Sequence, residues 1–142
     1  MPTITADLTS GFEVDITNGT HQWRADEPVE LGGTDTGPNP YELLLGSLAA
    51  CACITLSMYA NRKGIALTSI SAKYTYDKVH AKDCEFCEVE DHGFIDTVSS
   101  QIFVEGEFDE ETRDRLAQVA QRCPVHKTLE RGIRFSEEVF VG

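Results

Sequence analysis

The chain has 142 residues, 41% of them hydrophobic, and this length suits a single domain over residues 1–142 with its own core. Its 24 acidic residues outnumber its 12 basic ones, for a net charge of -12, which argues against binding to nucleic acid or anionic lipid. The N-terminus lacks the basic patch and apolar run of a secretory signal, so we expect a cytoplasmic protein whose five cysteines are thiols.

The first predicted element is a β-hairpin. Hydrophobic and polar residues alternate over residues 12–17, as in a half-buried strand. Asn18-Gly19 follows, a dipeptide that tolerates positive φ and favours a tight turn, so residues 20–24 are expected to return as a paired strand. Residues 26–40 contain many Gly and Pro residues and are predicted to form a loop.

A long apolar helix is predicted after this loop. Residues 41–63 contain no proline and one interior glycine, and Pro40 fits the first helical turn with Asn39 as its cap. Residues 43–60 are uncharged and long enough to cross a membrane, but small and hydroxyl residues dilute them, so we interpret the helix as part of a globular core. One chain offers little material to cover such a helix on every face, which favours a dimer that buries it.

Strands and helices alternate in the remaining sequence. Alternating patterns predict strands at residues 70–77 and 98–104. Asp109 can cap a helix, and Pro124 can begin a short helix that stops at Gly132. Residues 133–141 are predicted to form a last strand. This order predicts an α+β fold with largely antiparallel pairing.

Cys123 has a sequence setting that can activate a thiol. Pro124 places it at or beside a helix N-cap, where amide donors and the helix dipole favour a thiolate. Arg122, His126 and Lys127 add positive potential. The same cysteine also completes an apolar helical stripe, so burial as a small hydrophobic residue is an equal alternative.

Cys51 lies in the middle of the long helix, among small residues that allow another backbone or a substrate to approach. Burial among alanines would raise its pKa unless a cation lay nearby, so the residues alone favour a packing role. Cys53 projects from a different side of the helix and is interpreted as core packing.

The polar segment 80–93 contains a Cys-x-x-Cys pair flanked by histidines. The set His80, Cys84, Cys87 and His92 could hold zinc, and the two cysteines could instead form a redox-active pair. Five acidic residues in the same segment are equally consistent with an inert, solvated loop.

Three segments together carry a family resemblance. They are TGPNPYELLLGSLAAC (36–51), MYANRKG (58–64) and RCPVHKTL (122–129). In this order and spacing they resemble the superfamily of osmotically inducible protein C and organic hydroperoxide resistance proteins (OsmC/Ohr), over nearly the whole chain from about Gly32.

The resemblance implies an OsmC-like α+β fold, with antiparallel sheets around a long central helix in an intertwined homodimer. It also implies that Cys51 corresponds to the peroxide-attacking cysteine and Cys123 to the resolving cysteine. The implied function is reduction of organic hydroperoxides in oxidative-stress defence, through a Cys51 sulfenic acid and a Cys51–Cys123 disulfide. An external dithiol would supply the electrons, and no cofactor is implied.

The family also uses an arginine to stabilise the thiolate and a glutamate to hold that arginine. Arg24 is our candidate arginine. Tyr41 occupies the usual glutamate position, and the carboxylate comes one residue later as Glu42, about 100° further round the helix.

Because of this departure, the chain resembles the OsmC-like branch of the superfamily more closely. Two alternative functions therefore stay open. One is a redox- or metal-sensing protein that uses the Cys84/Cys87 loop; the other is a dimer that binds a small apolar ligand at its interface.

Overall fold

The computed structural model describes residues 1–80 and 93–142, which form an α+β fold in which every strand pairing is antiparallel, as predicted. The chain comprises two compact units, residues 1–46 and 47–142. In chain order, the elements are β1 (Thr5–Ser10), β2 (Glu13–Thr17), β3 (Gln22–Ala25), a 3-10 turn (Val29–Leu31), α1 (Pro40–Lys63), β4 (Leu67–His80), β5 (Phe94–Gly106), α2 (Glu110–Ala120) and α3 (Pro124–Arg131).

The first unit contains a three-stranded sheet in the order β1-β2-β3. The predicted hairpin is confirmed as β2 and β3, with Gly19 at φ +95° in its turn. The turn is longer than the tight one predicted, because Thr17 pairs with Gln22 and the returning strand begins at Gln22 rather than at residue 20. The side-chain oxygen Oδ1 of Asn18 accepts the N–H groups of Thr20 and His21, which stabilises the turn. Strand β1 was not predicted, because Leu8 is its one large hydrophobic residue and all its side chains are exposed.

The loop after β3 is organised around the carboxylate of Asp26, which is only 2% exposed. Its oxygens accept the N–H groups of Glu27, Thr34 and Thr36 and the hydroxyl groups of both threonines. Gly33 approaches the Glu27 carbonyl so closely that a Cβ atom would clash with it. The predicted loop therefore has a fixed conformation, although it contains only one short 3-10 turn.

Helix α1 begins where the sequence predicts. The Asn39 side chain accepts the Glu42 N–H at 2.9 Å, and the Glu42 carboxylate accepts the Asn39 N–H at 3.3 Å. This reciprocal capping satisfies two of the backbone donors that a helix start leaves unpaired.

One stripe of α1 is buried, while its other faces carry exposed hydrophobic residues. Ile54 is 52% exposed and Met58 is 67% exposed. By length and composition α1 could also cross a membrane, and only 22% of its most apolar window is buried. The buried stripe repeats every four residues: Leu48, Ala52, Leu56 and Ala60.

In the second unit, β4 and β5 form a two-stranded ribbon that extends beyond both predicted strands, from the pair Leu67–Gly106 to the pair His80–Phe94. Helix α2 is capped by Asp109, and α3 ends at Gly132, as predicted. The core of this unit is a cluster of Leu56, Leu116 and Val119, against which hydrophobic residues of both strands pack.

The strand predicted at residues 133–141 is wrong for the single chain, because these residues have no regular structure. Phe135 is 81% exposed and Phe140 is 89% exposed. A strand requires a neighbouring strand for its backbone groups, and an alternating pattern does not provide that neighbour. Among the described residues, no third strand joins β4 and β5.

Candidate thiol site

The second unit brings Cys51 and Cys123 together, although they are far apart in sequence. Cys51 lies in α1, and Cys123 lies between α2 and α3. Both cysteines are free thiols, and each lies close enough to the other to shift its pKa. This pair is the candidate functional site.

Cys123 is the N-cap of α3, as the proline that follows it predicts. Its sulfur accepts the N–H of His126 at 3.4 Å. The residue is also only 1% exposed. Both settings considered from the sequence, the helix cap and the buried position, therefore apply to the same side chain.

Cys51 is half-buried, and three donors surround its sulfur. They are the thiol of Cys123, the N–H of Val125 and the hydroxyl of Thr55, whose oxygen is 4.0 Å from the sulfur. Val125 belongs to the first turn of α3. The N-terminal turn of α3 therefore presents N–H groups to both sulfurs: that of Val125 acts on Cys51 and Cys123, and that of His126 acts on Cys123.

Electrostatics favour ionisation of Cys51 over Cys123. Burial opposes the charge on Cys51 most strongly, but donors from Cys123, Val125 and Thr55 together hold the pKa of Cys51 below that of an ordinary thiol. Burial, and then the hydrogen bond and charge of Cys51, raise the pKa of Cys123, and the N–H groups of His126 and Val125 offset this only in part. Cys51 is therefore the sulfur that loses its proton first.

This result differs from the expectation that the helix dipole would favour a thiolate at Cys123. Cys123 is too deeply buried for its two amide donors, His126 and Val125, to compensate the loss of hydration. The same helix start also acts on Cys51, which retains partial contact with solvent. The sequence could not show this, because the contact between Val125 and Cys51 depends on how α1 and α3 pack.

Tyr74 is a neighbour of the sulfur pair that the sequence did not identify. It faces inward from β4, directly opposite Ser100 of β5. Burial raises the pKa of the Tyr74 phenol, negative charge on Cys123, Cys51 and Cys53 raises it further, and a hydrogen bond from Ser100 opposes the rise. The phenol is therefore within electrostatic range of all three sulfurs.

Arg24 and Glu42, the two charged candidates from the sequence, lie in the first unit. Arg24 Nε is 2.8 Å from Asp15 Oδ1, and Arg24 Nη1 is 3.3 Å from Glu13 Oε2. Glu42 instead caps α1 through Asn39. Asp15 is the direct cross-strand partner of Arg24. The tight turn predicted at Asn18-Gly19 would instead have placed Gln22 opposite Asp15, because the observed turn is two residues longer. The roles of Arg24 and Glu42 towards Cys51 stay predictions.

The predicted metal site falls mainly outside the described residues. His80 ends β4, whereas Cys84, Cys87 and His92 lie in the segment 81–92. Within residues 1–80 and 93–142, no group of three His, Cys, Asp or Glu side chains is arranged to hold a metal ion. The zinc and redox-pair interpretations of the Cys84/Cys87 loop stay predictions.

Comparison with known proteins identifies similar sequences and folds. A family model described as OsmC-like protein matches residues 33–138. The solved OsmC-like protein of Mycoplasma pneumoniae is 23% identical, with a TM-score of 0.69 and coverage of 92% of this chain and 87% of that one. An organic hydroperoxide resistance protein of Elizabethkingia anophelis is also 23% identical, with a TM-score of 0.58 and coverage of 89% and 87%.

A third solved structure has similar values. The organic hydroperoxide resistance protein OsmC of Legionella pneumophila is 22% identical, with a TM-score of 0.59 and coverage of 88% of this chain and 85% of that one. At these identities the structural likeness establishes a shared fold. The comparison with curated proteins gave no match.

Proposed function

The chain belongs to the OsmC-like protein family, and on that premise we propose that it is a cysteine-based peroxidase that reduces organic hydroperoxides. The observation that carries the proposal is the contact between Cys51 and Cys123, in which the pKa of Cys51 is lowered and that of Cys123 is raised. Two of the solved structures with this fold are named organic hydroperoxide resistance proteins.

In the proposed first step, the Cys51 thiolate attacks the terminal oxygen of the hydroperoxide. A sulfur–oxygen bond forms, the O–O bond breaks, and the other oxygen leaves as an alkoxide that takes up one proton to give an alcohol. Cys51 is then a sulfenic acid.

In the second step, the Cys123 sulfur attacks the sulfur of the Cys51 sulfenic acid. The disulfide forms as the hydroxyl group leaves and, with the Cys123 proton, becomes water. An external dithiol then reduces the disulfide and returns both thiols. The net reaction converts a hydroperoxide and a dithiol to an alcohol, water and a disulfide.

Differences in exposure support this division of roles. Cys51 is half-buried and can meet a small peroxide, whereas Cys123 is 1% exposed and is shielded from one. The influence of each thiol on the pKa of the other supports Cys123 as the thiol that attacks the Cys51 sulfur. We therefore assign the nucleophile to Cys51 and the resolving thiol to Cys123.

We retain Arg24 as a proposed electrostatic support for the thiolate, and we assign the task of holding it to Glu13 and Asp15. Both carboxylates pair with the guanidinium in the first unit. Glu42 is proposed to act through the start of α1, because its carboxylate is engaged in the helix cap.

We also propose a homodimer, on the basis of the apolar surface that α1 exposes. Ile54 is 52% exposed and Met58 is 67% exposed, and only 22% of the most apolar window of the helix is buried. Large exposed apolar patches mark sites of association. A second copy would cover the apolar faces of α1 in a cytoplasmic protein and would make a membrane location unnecessary.

Sedimentation equilibrium in detergent-free buffer tests this assembly. We expect a single species of twice the chain mass at micromolar concentration. A monomer that remains soluble without detergent would contradict the dimer but not the thiol chemistry.

Hydroperoxide consumption by paired serine variants tests the proposed activity. With excess dithiol, Cys51→Ser should lower the rate to that of the uncatalysed reaction, because it removes the nucleophile. Cys53→Ser is the matched control on the same helix and should retain the parent rate. Consumption by Cys51→Ser at the parent rate would exclude the proposal.

A further inference from the structure

We propose that Asn18 is a site of spontaneous deamidation and that the hydroxyl group of Thr17 protects it while the turn between β2 and β3 is closed. The site lies in the first unit, so it is independent of the thiol chemistry proposed for the second. Two features of the turn point to it: the dipeptide Asn18-Gly19 and the hydrogen bonds that its two residues make.

Deamidation of an asparagine begins when the main-chain nitrogen of the next residue attacks the side-chain carbonyl carbon. Here the Gly19 nitrogen loses its proton to water and forms a C–N bond with Asn18 Cγ, and the side-chain amide nitrogen leaves as ammonia. Water then opens the five-membered succinimide to aspartate or isoaspartate. The net reaction consumes one water and releases one ammonia. Glycine hinders this ring closure least, because it has no Cβ atom and its backbone is the most permissive.

The chain contains three asparagines, and the structure favours this reaction at Asn18 alone. Asn39 precedes Pro40, whose nitrogen carries no proton to lose. Asn61 lies in α1, where the nitrogen that follows it belongs to the helical backbone. Asn18 and Gly19 are both exposed, and a Cβ atom placed on Gly19 would meet no other atom within 4 Å. Water can therefore reach the succinimide that forms there.

Both reacting groups are engaged in other contacts while the turn is closed. The attacking nitrogen, Gly19 N, donates its N–H to Thr17 Oγ1 at 3.0 Å, and the Thr17 hydroxyl donates in turn to the His21 carbonyl at 2.8 Å. On the group under attack, Asn18 Oδ1 accepts the N–H groups of Thr20 and His21 at 2.9 and 2.6 Å. Attack therefore requires that the turn give up contacts on both sides of the new bond.

The Thr17 hydroxyl stabilises the unreactive form of Gly19. Its own proton is directed at the His21 carbonyl, so Oγ1 presents a lone pair to the Gly19 N–H. Loss of the Gly19 proton would remove this hydrogen bond and leave the nitrogen anion facing that lone pair. A hydrogen bond to the protonated form of a group opposes its ionisation, so this contact slows the step that starts the attack.

The test is incubation of the full chain at pH 8 over several weeks, with peptide mass spectrometry to detect conversion of Asn18 to aspartate and isoaspartate. In the folded state, we expect Thr17→Val to convert roughly fivefold faster than the parent, the scale of one neutral hydrogen bond. Valine keeps the branched shape of threonine and removes the acceptor. In concentrated urea, where the turn is open, both proteins should convert faster than the folded parent and at equal rates.

Thr9→Val is the matched control, because the Thr9 hydroxyl also donates to a main-chain carbonyl four residues on, that of Glu13, in the turn between β1 and β2. It should convert at the parent rate in the folded state. Equal acceleration in the two valine variants would show general loosening of the sheet and would overturn the role of Thr17. A parent-like rate in folded Thr17→Val would overturn it too.

The site and its protection fail separately. Absence of conversion at Asn18 in urea would overturn the site itself, and equal rates for the parent with and without urea would overturn its protection by the turn. None of these measurements involves a cysteine, so each outcome is distinct from failure of the proposed peroxidase activity.

Discussion

Asp26 in the first unit and Cys51 in the second are both stabilised as anions mainly by neutral hydrogen-bond donors. Asp26 accepts five hydrogen bonds from three residues of its loop. Cys51 has three donors: a thiol, an amide and a hydroxyl. In both cases hydrogen bonds lower the pKa against the opposing effect of burial.

The two sites differ in exposure, and this difference accounts for their different roles. Asp26 is 2% exposed and its oxygens are engaged with loop donors, so it can fix a loop but cannot meet a ligand. Cys51 is half-buried, and its donors are longer and fewer. Donors of the same kind thus produce a structural anchor where the anion is enclosed and a reactive group where one side remains accessible.

Asp26→Asn should have the largest effect on stability, and it tests whether the Asp26 carboxylate anchors its loop. The amide removes the charge and places an NH2 group against N–H donors from Thr34 and Thr36. We expect the melting temperature to fall by roughly 5 °C or more. Glu27→Gln is the control, because its main-chain N–H, which is unchanged, makes the contact with Asp26. A parent-like melting temperature in Asp26→Asn would contradict the anchoring role.

The pH dependence of stability should also reflect Asp26. The pKa of Asp26 is lower in the folded chain than in the unfolded one, because Thr34, Thr36 and Glu27 donate to its charged form. Its contribution is therefore present above the unfolded pKa of about 4 and declines as the pH falls towards the folded value. Urea unfolding between pH 6 and pH 3 should show a steeper loss for the parent than for Asp26→Asn; parallel curves would exclude the effect.

Cys123→Ala tests how far the Cys123 thiol lowers the pKa of Cys51. It removes a thiol donor from Cys51, so the pKa of Cys51 should rise. Alkylation of Cys51 by iodoacetamide at pH 7, followed by peptide mass spectrometry, should slow roughly tenfold. Cys53→Ala should leave that rate unchanged. A faster reaction in Cys123→Ala would mean that Cys123 shields Cys51 more than it activates it.

Thr55→Val should produce the smallest effect. The Thr55 oxygen is 4.0 Å from the Cys51 sulfur, which is long for a hydrogen bond even to sulfur. We expect the same alkylation rate to fall roughly two- to threefold, since the pKa of Cys51 rises only slightly. A loss as large as that in Cys123→Ala would show that the hydroxyl approaches the sulfur more closely in solution.

Local signals in the sequence predicted much of the fold. Asn39 and Asp109 cap the helices that follow them, and Gly132 ends α3, because caps depend on a few adjacent residues. Strand β1 and residues 133–141 were misjudged for the opposite reason. A strand depends on its neighbour, which the sequence of the segment itself does not specify.

The candidate site was predictable only in part. Pro124 placed Cys123 at a helix cap, which the structure confirms. The partnership with Cys51 came from the family resemblance, and the donation from Val125 and the approach of Tyr74 depend on packing between distant segments. The pair of Arg24 and Asp15 was missed as well, because it depends on a hairpin turn two residues longer than the one predicted.

The division of roles between Cys51 and Cys123 is tested most directly by mass-spectrometric mapping of the cysteines after the reduced protein has reacted with one equivalent of an organic hydroperoxide. We expect a disulfide between the peptides that contain Cys51 and Cys123, with Cys53 still alkylatable as a thiol. A disulfide that excludes Cys51, or oxidation confined to the Cys84/Cys87 loop, would contradict the assignment of Cys51 as the nucleophile.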